Sequence, residues 1–427
     1  MVNTTLYVHA DWETLPRPLL LGALHARPTG RQELFDFEFT SNAISHPSLQ
    51  GVTIDPRLGI WPGPQYPPKG RTSFGMIADS SPDRWGQLLM QRRAERNWRA
   101  AGNQGLAPRL HASNYLMGVH DQYRVGALRY SLEPDGPFVD NQRRNGAPPL
   151  VMLRELEAAS LAFEQSEQNP AAIDDDQLRL LIAPGGSLGG ARPKASVIDE
   201  QGHLYIAKFP SAHDRHNIGA WEGVVNYLAE RCGIAPALGG VARFASAHHT
   251  FIVRRFDRTE TGRRLHFASA MTLTDKQDGD DASTGASYLD IANVLITQGA
   301  RPNEDLRLLW SRLVFDMLVS NGDGHLRNTG FILRPGKGWQ LSPAYDMNPD
   351  PAAHELKLNV SETDNAMDLE LALSVAPFYR LTLTDAKAII ASQISVVRQW
   401  RKLAGSPVHG LGSREIERMA PAFRLAQ

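Results

Sequence analysis

The sequence carries a single cysteine, Cys232, in 427 residues, which excludes an internal disulfide and any metal site built from several cysteines, and fits a reducing compartment. No uninterrupted apolar stretch approaches the length of a membrane span. Met1 to Glu13 lack the basic region, apolar run and small-residue cleavage site of a secretory leader, so a cytoplasmic protein without membrane association is expected. Neither sign of charge is in excess: 45 Lys and Arg stand against 46 Asp and Glu, for a formal net charge of −1. The net charge therefore gives no whole-chain reason to expect nucleic-acid or membrane binding, and any basic patch must be argued locally. No internal repeat is evident, and neither a Walker A ending nor a dinucleotide fingerprint is present. What remains is ordinary globular composition, 42% hydrophobic and 21% charged, with room for two or three domains.

In chain order, Thr4 to His9 reads as a strand, followed by short β elements at Pro16 to Leu24 and Leu34 to Phe39. Prolines and glycines between Pro47 and Lys69 predict irregular loops. Ser81-Pro82-Asp83 resembles a helix start, leading into an apolar stripe at Trp85, Leu88, Leu89 and Met90 and then into Arg92, Arg93, Arg96 and Arg99. Such an arginine run could face nucleic acid or an acidic partner, although a solvated helix face is the commoner role. Tyr115 to Val119 and Arg124 to Tyr130 read as strands. The proline- and glycine-rich stretch 131–149 reads as a linker, separating an N-terminal subdomain, 1–130, from the remainder of the chain. Helical spacing covers Val151 to Glu164 and Asp174 to Ile182. Strands follow at Ala195 to Ile198, His203 to Phe209 and Thr250 to Val253. An apolar helix face begins after Asn217 and ends at Gly233, and a second helix spans Leu306 to Val319. The acidic stretch Thr272 to Gly285 lacks calcium-loop spacing and reads as a mobile loop. Met367 to Val375, Leu383 to Leu403 and Arg414 to Leu425 read as helical.

Two segments carry chemistry. In the first, Gly185, Gly186, Gly189 and Gly190 remove side chains that would hold an anion away from backbone N–H groups, while Arg192 and Lys194 add positive charge. The second, S-N-G-D-G-H-L-R-N, places Asp323, His325 and Asn328 on a tight loop after the long helix, with Asp346 eighteen residues past Asn328 at the end of a short hairpin. Phosphoryl transfer needs a group to orient the attacking hydroxyl and oxygen ligands for a metal ion, and an Asp followed five positions later by Asn, then an Asp on the next hairpin, is the protein-kinase arrangement. Asn-Gly-Asp-Gly alone would also serve as a plain turn. The order is what discriminates: glycine loop, strand lysine at Lys208, helix glutamate at Glu222, connecting strand, Asp323 with Asn328, then Asp346. Lys208 could equally be a snorkelling surface lysine, and Glu222 could pair with it if the helix packs on the hairpin.

With these residues in view, the chain resembles the HipA family, the kinase toxins of bacterial toxin–antitoxin modules. The likeness runs through G-G-S-L-G-G-A-R-P-K, L-Y-I-A-K-F-P, F-I-V-R-R-F-D-R, N-G-D-G-H-L-R-N and A-Y-D-M-N-P, and in the N-terminal part through F-G-M-I-A-D-S-S-P-D-R-W-G and R-V-G-A-L-R-Y. The resemblance implies an α+β, protein-kinase-like bilobal fold: a small β-rich N-terminal subdomain, a kinase N-lobe at 150–256 and a mainly helical C-lobe at 257–427. It implies Asp323 as catalytic base, Asn328 and Asp346 as magnesium ligands, and an ATP site drawn from Gly189, Gly190, Ala191, Arg192, Pro193, Lys194, Lys208, Glu222, His325, Leu326, Arg327 and Tyr345. Arg254, Arg255 and Phe256 would form the hinge against adenine. Ser187 matches the serine that such kinases autophosphorylate, and a phosphate there would repel those of bound ATP. The chain departs from the family where Arg254 stands for the usual Glu and Arg327 for the commoner Lys.

The implied function is an ATP- and Mg2+-dependent serine/threonine kinase toxin that stalls translation through a protein substrate such as an aminoacyl-tRNA synthetase. Its implied partner is a helix-turn-helix, HipB-like antitoxin, with operator DNA reached mostly through that antitoxin, since no helix-turn-helix signature is present in this chain. An alternative is a kinase-like enzyme acting on a small molecule, since the same ATP apparatus serves such enzymes. A non-catalytic binding module would require the loss of a catalytic part, and Lys208, Asp323, Asn328 and Asp346 are all present.

Overall fold

A computed structural model describes residues 3–30, 32–142, 146–166, 175–182, 190 and 192–427. The chain forms two compact units, neither continuous in sequence: the first comprises Met1–Ala212, Phe244–Ser246 and Asp257–Ala268, the second His213–Arg243, Ala247–Phe256 and Ser269–Gln427. The described residues of the stretch 131–149, read as a linker, fall in the first unit.

The first unit starts with an antiparallel sheet of β1 (Thr4–Ala10), β2 (Leu19–Thr29), β3 (Gln32–Phe39) and β4 (Leu128–Ser131), in the order β3-β2-β1-β4. Alternation drives it: Leu6, Val8 and Ala10 of β1 are buried, and Val8 stands opposite Gly22 on one side and Tyr130 on the other. Four helices follow β3 before β4: α1 (Ser41–Ser45), α2 (Gly75–Ser80), α3 (Arg84–Ala100) and α4 (Ala112–Met117). Of the strand expected at 115–119, Tyr115 to Met117 instead form the end of α4 and Gly118 is its C-cap. Its N-terminus is held by a partner eighty residues away, the Glu33 carboxylate, which accepts Ser113 N–H at 2.8 Å and Ser113 Oγ–H at 2.7 Å. The expected strand at 124–130 is present only from Leu128. The stretch after β4 turns back, with Val139 N–H donating to Tyr130 O at 2.8 Å.

Helices α5 (Leu153–Gln165) and α6 (Asp175–Ile182) and the hairpin of β5 (Lys194–Ile198) and β6 (Leu204–Lys208) complete the contiguous part. Asp83 ties this hairpin to α3. Its Oδ1 caps the helix by accepting Gly86 N–H at 2.8 Å, and its Oδ2 accepts the Lys194 ammonium at 2.9 Å, with both side chains almost fully buried. Trp85 Nε1 donates to the Lys194 carbonyl at 3.1 Å, and its ring meets Phe163 edge-on at 5.2 Å. The two later insertions are equally committed. The fully buried Glu157 carboxylate accepts the N–H groups of Ala245 at 3.1 Å and Ser246 at 2.8 Å, and Asp257 accepts Gly126 N–H at 2.9 Å.

The second unit opens with α7 (Ile218–Arg231), capped by Asn217 and followed by Gly233 at φ +71°, as the apolar spacing predicts. Strands β7 (Gly239–Ala242) and β8 (Thr250–Arg254) form a hairpin, of which β7 had no clear sequence signal. β9 (Phe267–Ser269) lies where the chain passes from the first unit back to the second. Next come α8 (Ala270–Leu273), α9 (Tyr288–Gln298), α10 (Pro302–Leu318), and the hairpin of β10 (Gly330–Arg334) and β11 (Gly338–Leu341). Then follow α11 (Leu369–Val375), α12 (Leu383–Val397), α13 (Trp400–Ala404) and α14 (Ser413–Met419). The acidic stretch 272–285 is not loose. Asp281 is held by Ser283, whose Oγ donates at 2.6 Å, and by Lys357 at 3.0 Å, and these contacts pull its carboxyl down to about 2. Cys232 closes α7, and burial pushes its thiol up to about 12.

Two consequences for stability arise in the first unit. Asp83→Ala leaves the Lys194 ammonium buried without its carboxylate and should lower unfolding free energy by about 3–5 kcal/mol in urea titration; a loss under 1 kcal/mol would deny the pair its role. His266 is buried beside Trp12, and that burial lowers its pKa to about 4. A depressed folded-state pKa means stability present above about 6.5 and lost as pH falls toward 4, on the order of 3 kcal/mol in all. The His266→Phe variant should show a flatter unfolding midpoint across that window.

Candidate functional site

The catalytic-loop candidates sit at the end of α10, a helix buried along most of its length. Three of its buried side chains are ionisable, and each captures a different segment. Asp305 accepts Leu341 N–H at 3.0 Å, fixing the end of β11. Arg312 donates to Ser342 O at 2.7 Å and to Ile234 O at 3.4 Å. Asp316 accepts Tyr288 Oη–H at 3.0 Å and Asn321 Nδ2–H at 2.9 Å. Burial drives all three toward their neutral forms: Asp305 is raised, Asp316 is raised to about 6, and Arg312 is lowered to about 10.

Past α10 the chain turns sharply at Ser320, a non-glycine residue at φ +50°, and enters the loop. The Asp323 carbonyl accepts two hydrogen bonds, from His325 N–H at 2.7 Å and from Asn328 Nδ2 at 3.0 Å, while the Asp323 side chain is exposed. Asn328 N–H returns to His325 O at 2.8 Å, closing the turn. With Nδ2 engaged, the remaining polar atom of the Asn328 amide is Oδ1, an acceptor. It is buried and receives no hydrogen bond among the described residues. An acceptor oxygen left over in this way suits a hard cation such as magnesium, which takes oxygen ligands.

The second carboxylate is brought to this loop by its neighbour. Tyr345 Oη donates to Arg327 O at 2.7 Å, so the residue before Asp346 is fastened to the residue before Asn328. Asp346 itself adopts φ +59°, a left-handed conformation that costs a non-glycine residue on the order of 1 kcal/mol and re-aims its side chain relative to a continuing strand. The Tyr345 ring also lies 5.5 Å from that of Phe256, so the predicted hinge and the Asp346 segment meet. Arg254 N–H donates to Leu238 O at 2.8 Å at the end of the β7–β8 hairpin, and Arg255 is buried. The space under the loop, about 20 Å³, is lined by Tyr288, Arg312, Asp316, Asn321 and Asn328 and admits about one water molecule.

The structure therefore brings Phe256, Asp323, His325, Leu326, Arg327, Asn328, Tyr345 and Asp346 together in the second unit, where Glu222 is buried on α7. Lys208, at the end of β6, belongs to the first unit, as do Gly190, Arg192, Pro193 and Lys194. Gly190 has φ +97°, and the Arg192 guanidinium donates to Phe209 O at 3.2 Å. The Lys194 ammonium is buried, donating to Asp83 at 2.9 Å and to the Gly190 carbonyl at 3.4 Å. Ser187, Gly189 and Ala191 lie outside the described residues. Sequence reasoning missed Tyr288, Asp316, Ser320 and Asn321. A signal existed for Asp316, an acid within the otherwise apolar end of a helix, the usual mark of a buried polar group with fixed partners.

Comparison with known proteins places this geometry. The HipA-like C-terminal domain model matches residues 186–400, just over half of the chain. A Haemophilus influenzae protein named "Putative kinase" is 27% identical over 179 residues, covering 38% of this chain and 52% of the relative. A Sinorhizobium fredii protein named "Putative kinase Y4mE" is 26% identical over 271 residues, 54% of this chain and 62% of the relative. The chain thus spans about half to three fifths of the length of these curated relatives. Among solved structures, a chain of the Shewanella oneidensis toxin–antitoxin complex of HipA, HipB and operator DNA superposes with a TM-score of 0.62 at 14% identity, covering 99% of this chain and 95% of that one. That likeness shows a shared fold, and the α+β architecture with its β-rich N-terminal part and helical C-terminal part agrees with it. By the domain match at 186–400, the chain belongs to the HipA-like family.

Proposed function

We propose that this chain is an ATP- and magnesium-dependent serine/threonine protein kinase that acts as the toxin of a bacterial type II toxin–antitoxin module. The observation that carries the reading is Asn328: its Nδ2 is locked onto the Asp323 carbonyl and its Oδ1 is left as a buried acceptor. In this reading the exposed Asp323 carboxylate accepts the proton of the attacking serine or threonine hydroxyl as that oxygen bonds to the γ-phosphorus and the bond from that phosphorus to the β–γ bridging oxygen breaks, releasing ADP. Asn328 and Asp346 would hold magnesium, which would supply charge neutralisation at the nucleotide phosphates. Lys208 contacts those phosphates, and the segment Arg254 to Phe256 borders adenine. The family name supports the toxin role, and the complex of HipA, HipB and operator DNA supports a helix-turn-helix antitoxin as partner, with DNA reached mostly through it. The protein substrate belongs to translation, an aminoacyl-tRNA synthetase being the type expected. Ser187 is the proposed autophosphorylation site, where added negative charge would oppose the phosphates of ATP and silence the enzyme.

The test is direct. Purified protein incubated with γ-labelled ATP and magnesium should label itself at Ser187, and Asp323→Ala should reduce the rate by about two to four orders of magnitude, the scale of general-base catalysis. Absence of label on unphosphorylated starting protein that binds ATP would overturn the protein-kinase reading. Asn328→Ala should raise the magnesium concentration needed for half-maximal rate by about tenfold or more, the scale on which even outer partners of a metal act. An unchanged magnesium requirement would remove Asn328 from the metal site.

A further inference from the structure

Asn321 lies two positions before Asp323, is buried, and uses both ends of its side-chain amide. Nδ2 donates to Asp316 Oδ1 at 2.9 Å, and Oδ1 accepts from Asn348 N–H at 3.3 Å. Asn348 in turn lies two positions after Asp346. One side chain thus spans from α10 to both segments that bear the carboxylates of the site. Its orientation is dictated from behind. The second oxygen of Asp316 already accepts the Tyr288 hydroxyl, so the carboxylate presents an acceptor to position 321, and Asn321 must turn its NH2 inward and its carbonyl toward Asn348. A parallel tie reinforces the first: Asp350 N–H donates to Ser320 O at 3.0 Å, while the Ser320 hydroxyl accepts from Arg424 at 3.1 Å. Tyr345 Oη on Arg327 O ties the far end of the loop to the Asp346 segment, and the Asn321 and Ser320 bonds tie its entry, so that the segment is fixed at both ends.

Resting on the kinase reading, we propose that Asn321, backed by Asp316, is a positioning residue that sets the placement of Asp346 relative to Asp323 during phosphoryl transfer. It touches neither substrate nor metal. Its effect is on geometry, to which transfer rates are steeply sensitive: a displacement of about 1 Å can cost a hundredfold.

The experiment uses the full chain in four forms: unmodified, Asn321→Ala, Asn321→Asp, and Asp316→Asn combined with Asn321→Asp. Rate and KM for ATP are measured at saturating magnesium, together with amide hydrogen exchange of the segment 344–352. Asn321→Ala should lower kcat by about 10- to 100-fold with the KM for ATP within about twofold, and should speed exchange at 348–350. Asn321→Asp sets two carboxylates face to face and should be at least as impaired. In the combined variant the amide at 316 donates to the carboxylate at 321, whose other oxygen accepts Asn348 N–H, so both kcat and protection should return to within about threefold of the unmodified chain. An Asn321→Ala protein with unchanged kcat and unchanged exchange overturns the proposal, as does a combined variant that folds but stays as impaired as Asn321→Asp. Should Asn321→Ala not fold, the two Asp-bearing variants decide the matter alone. Absence of phosphoryl transfer in the unmodified chain would count against the kinase reading only, and the exchange comparison would still decide whether Asn321 fixes the Asp346 segment.

Discussion

The site depends on three charged side chains buried in one helix. Asp305, Arg312 and Asp316 of α10 occupy positions that a purely apolar helix would fill with Leu or Val, and burying them is unfavourable unless each finds fixed partners. Each does, and the partners hold three segments in place: the end of strand β11, the Ser342 carbonyl after it, and Asn321 at the entry to the catalytic loop. The polar groups are thus the reason the irregular segments adopt one position, and the apolar remainder of α10 is what makes leaving those groups unsatisfied so costly. Loops that carry reactive residues need such anchors because they have little apolar surface of their own to bury.

The same logic appears at the level of single amides. Asn328 and Asn321 each carry one donor end and one acceptor end, and in each the donor is committed to the chain's own frame. What differs is the fate of the carbonyl end, engaged by Asn348 N–H in Asn321 and without a described protein donor in Asn328. A carboxylate at either position would repel its surroundings or lose its donor, and a hydroxyl would be too short to span. Asparagine is the residue type whose geometry meets both demands, which is why two of them flank Asp323.

Much of this was legible in the sequence because it is written locally. The bounds of α7 follow from Asn217, the apolar spacing and Gly233. The Asp323 loop, the hairpin behind it and the position of Asp346 follow from turn residues and spacing within one stretch. What escaped has a distant cause. The end of α4, a short apolar run, reads as a strand, whereas the Glu33 carboxylate that holds the helix N-terminus comes from β3. The partner of Lys194, Asp83, stands more than a hundred residues earlier and leaves no mark in the glycine-rich stretch where the lysine is read. The acidic run 272–285 reads as loose until Lys357 meets Asp281. In each case composition reports the side chain's chemistry correctly, and only the fold supplies its partner.

The interleaving of the two units bears on how the chain is made. The first unit includes 244–246 and 257–268, and its buried Glu157 and Asp257 depend on backbone and side-chain groups from both sides of that gap. A ribosome must therefore have released roughly three fifths of the polypeptide before the amino-terminal unit can satisfy its own interior, by which point α7 and β8 of the other unit have already emerged. Maturation cannot proceed as one finished domain followed by another. The nascent chain must hold an incomplete first unit, with a carboxylate awaiting its donors, while the beginnings of the second unit fold alongside it.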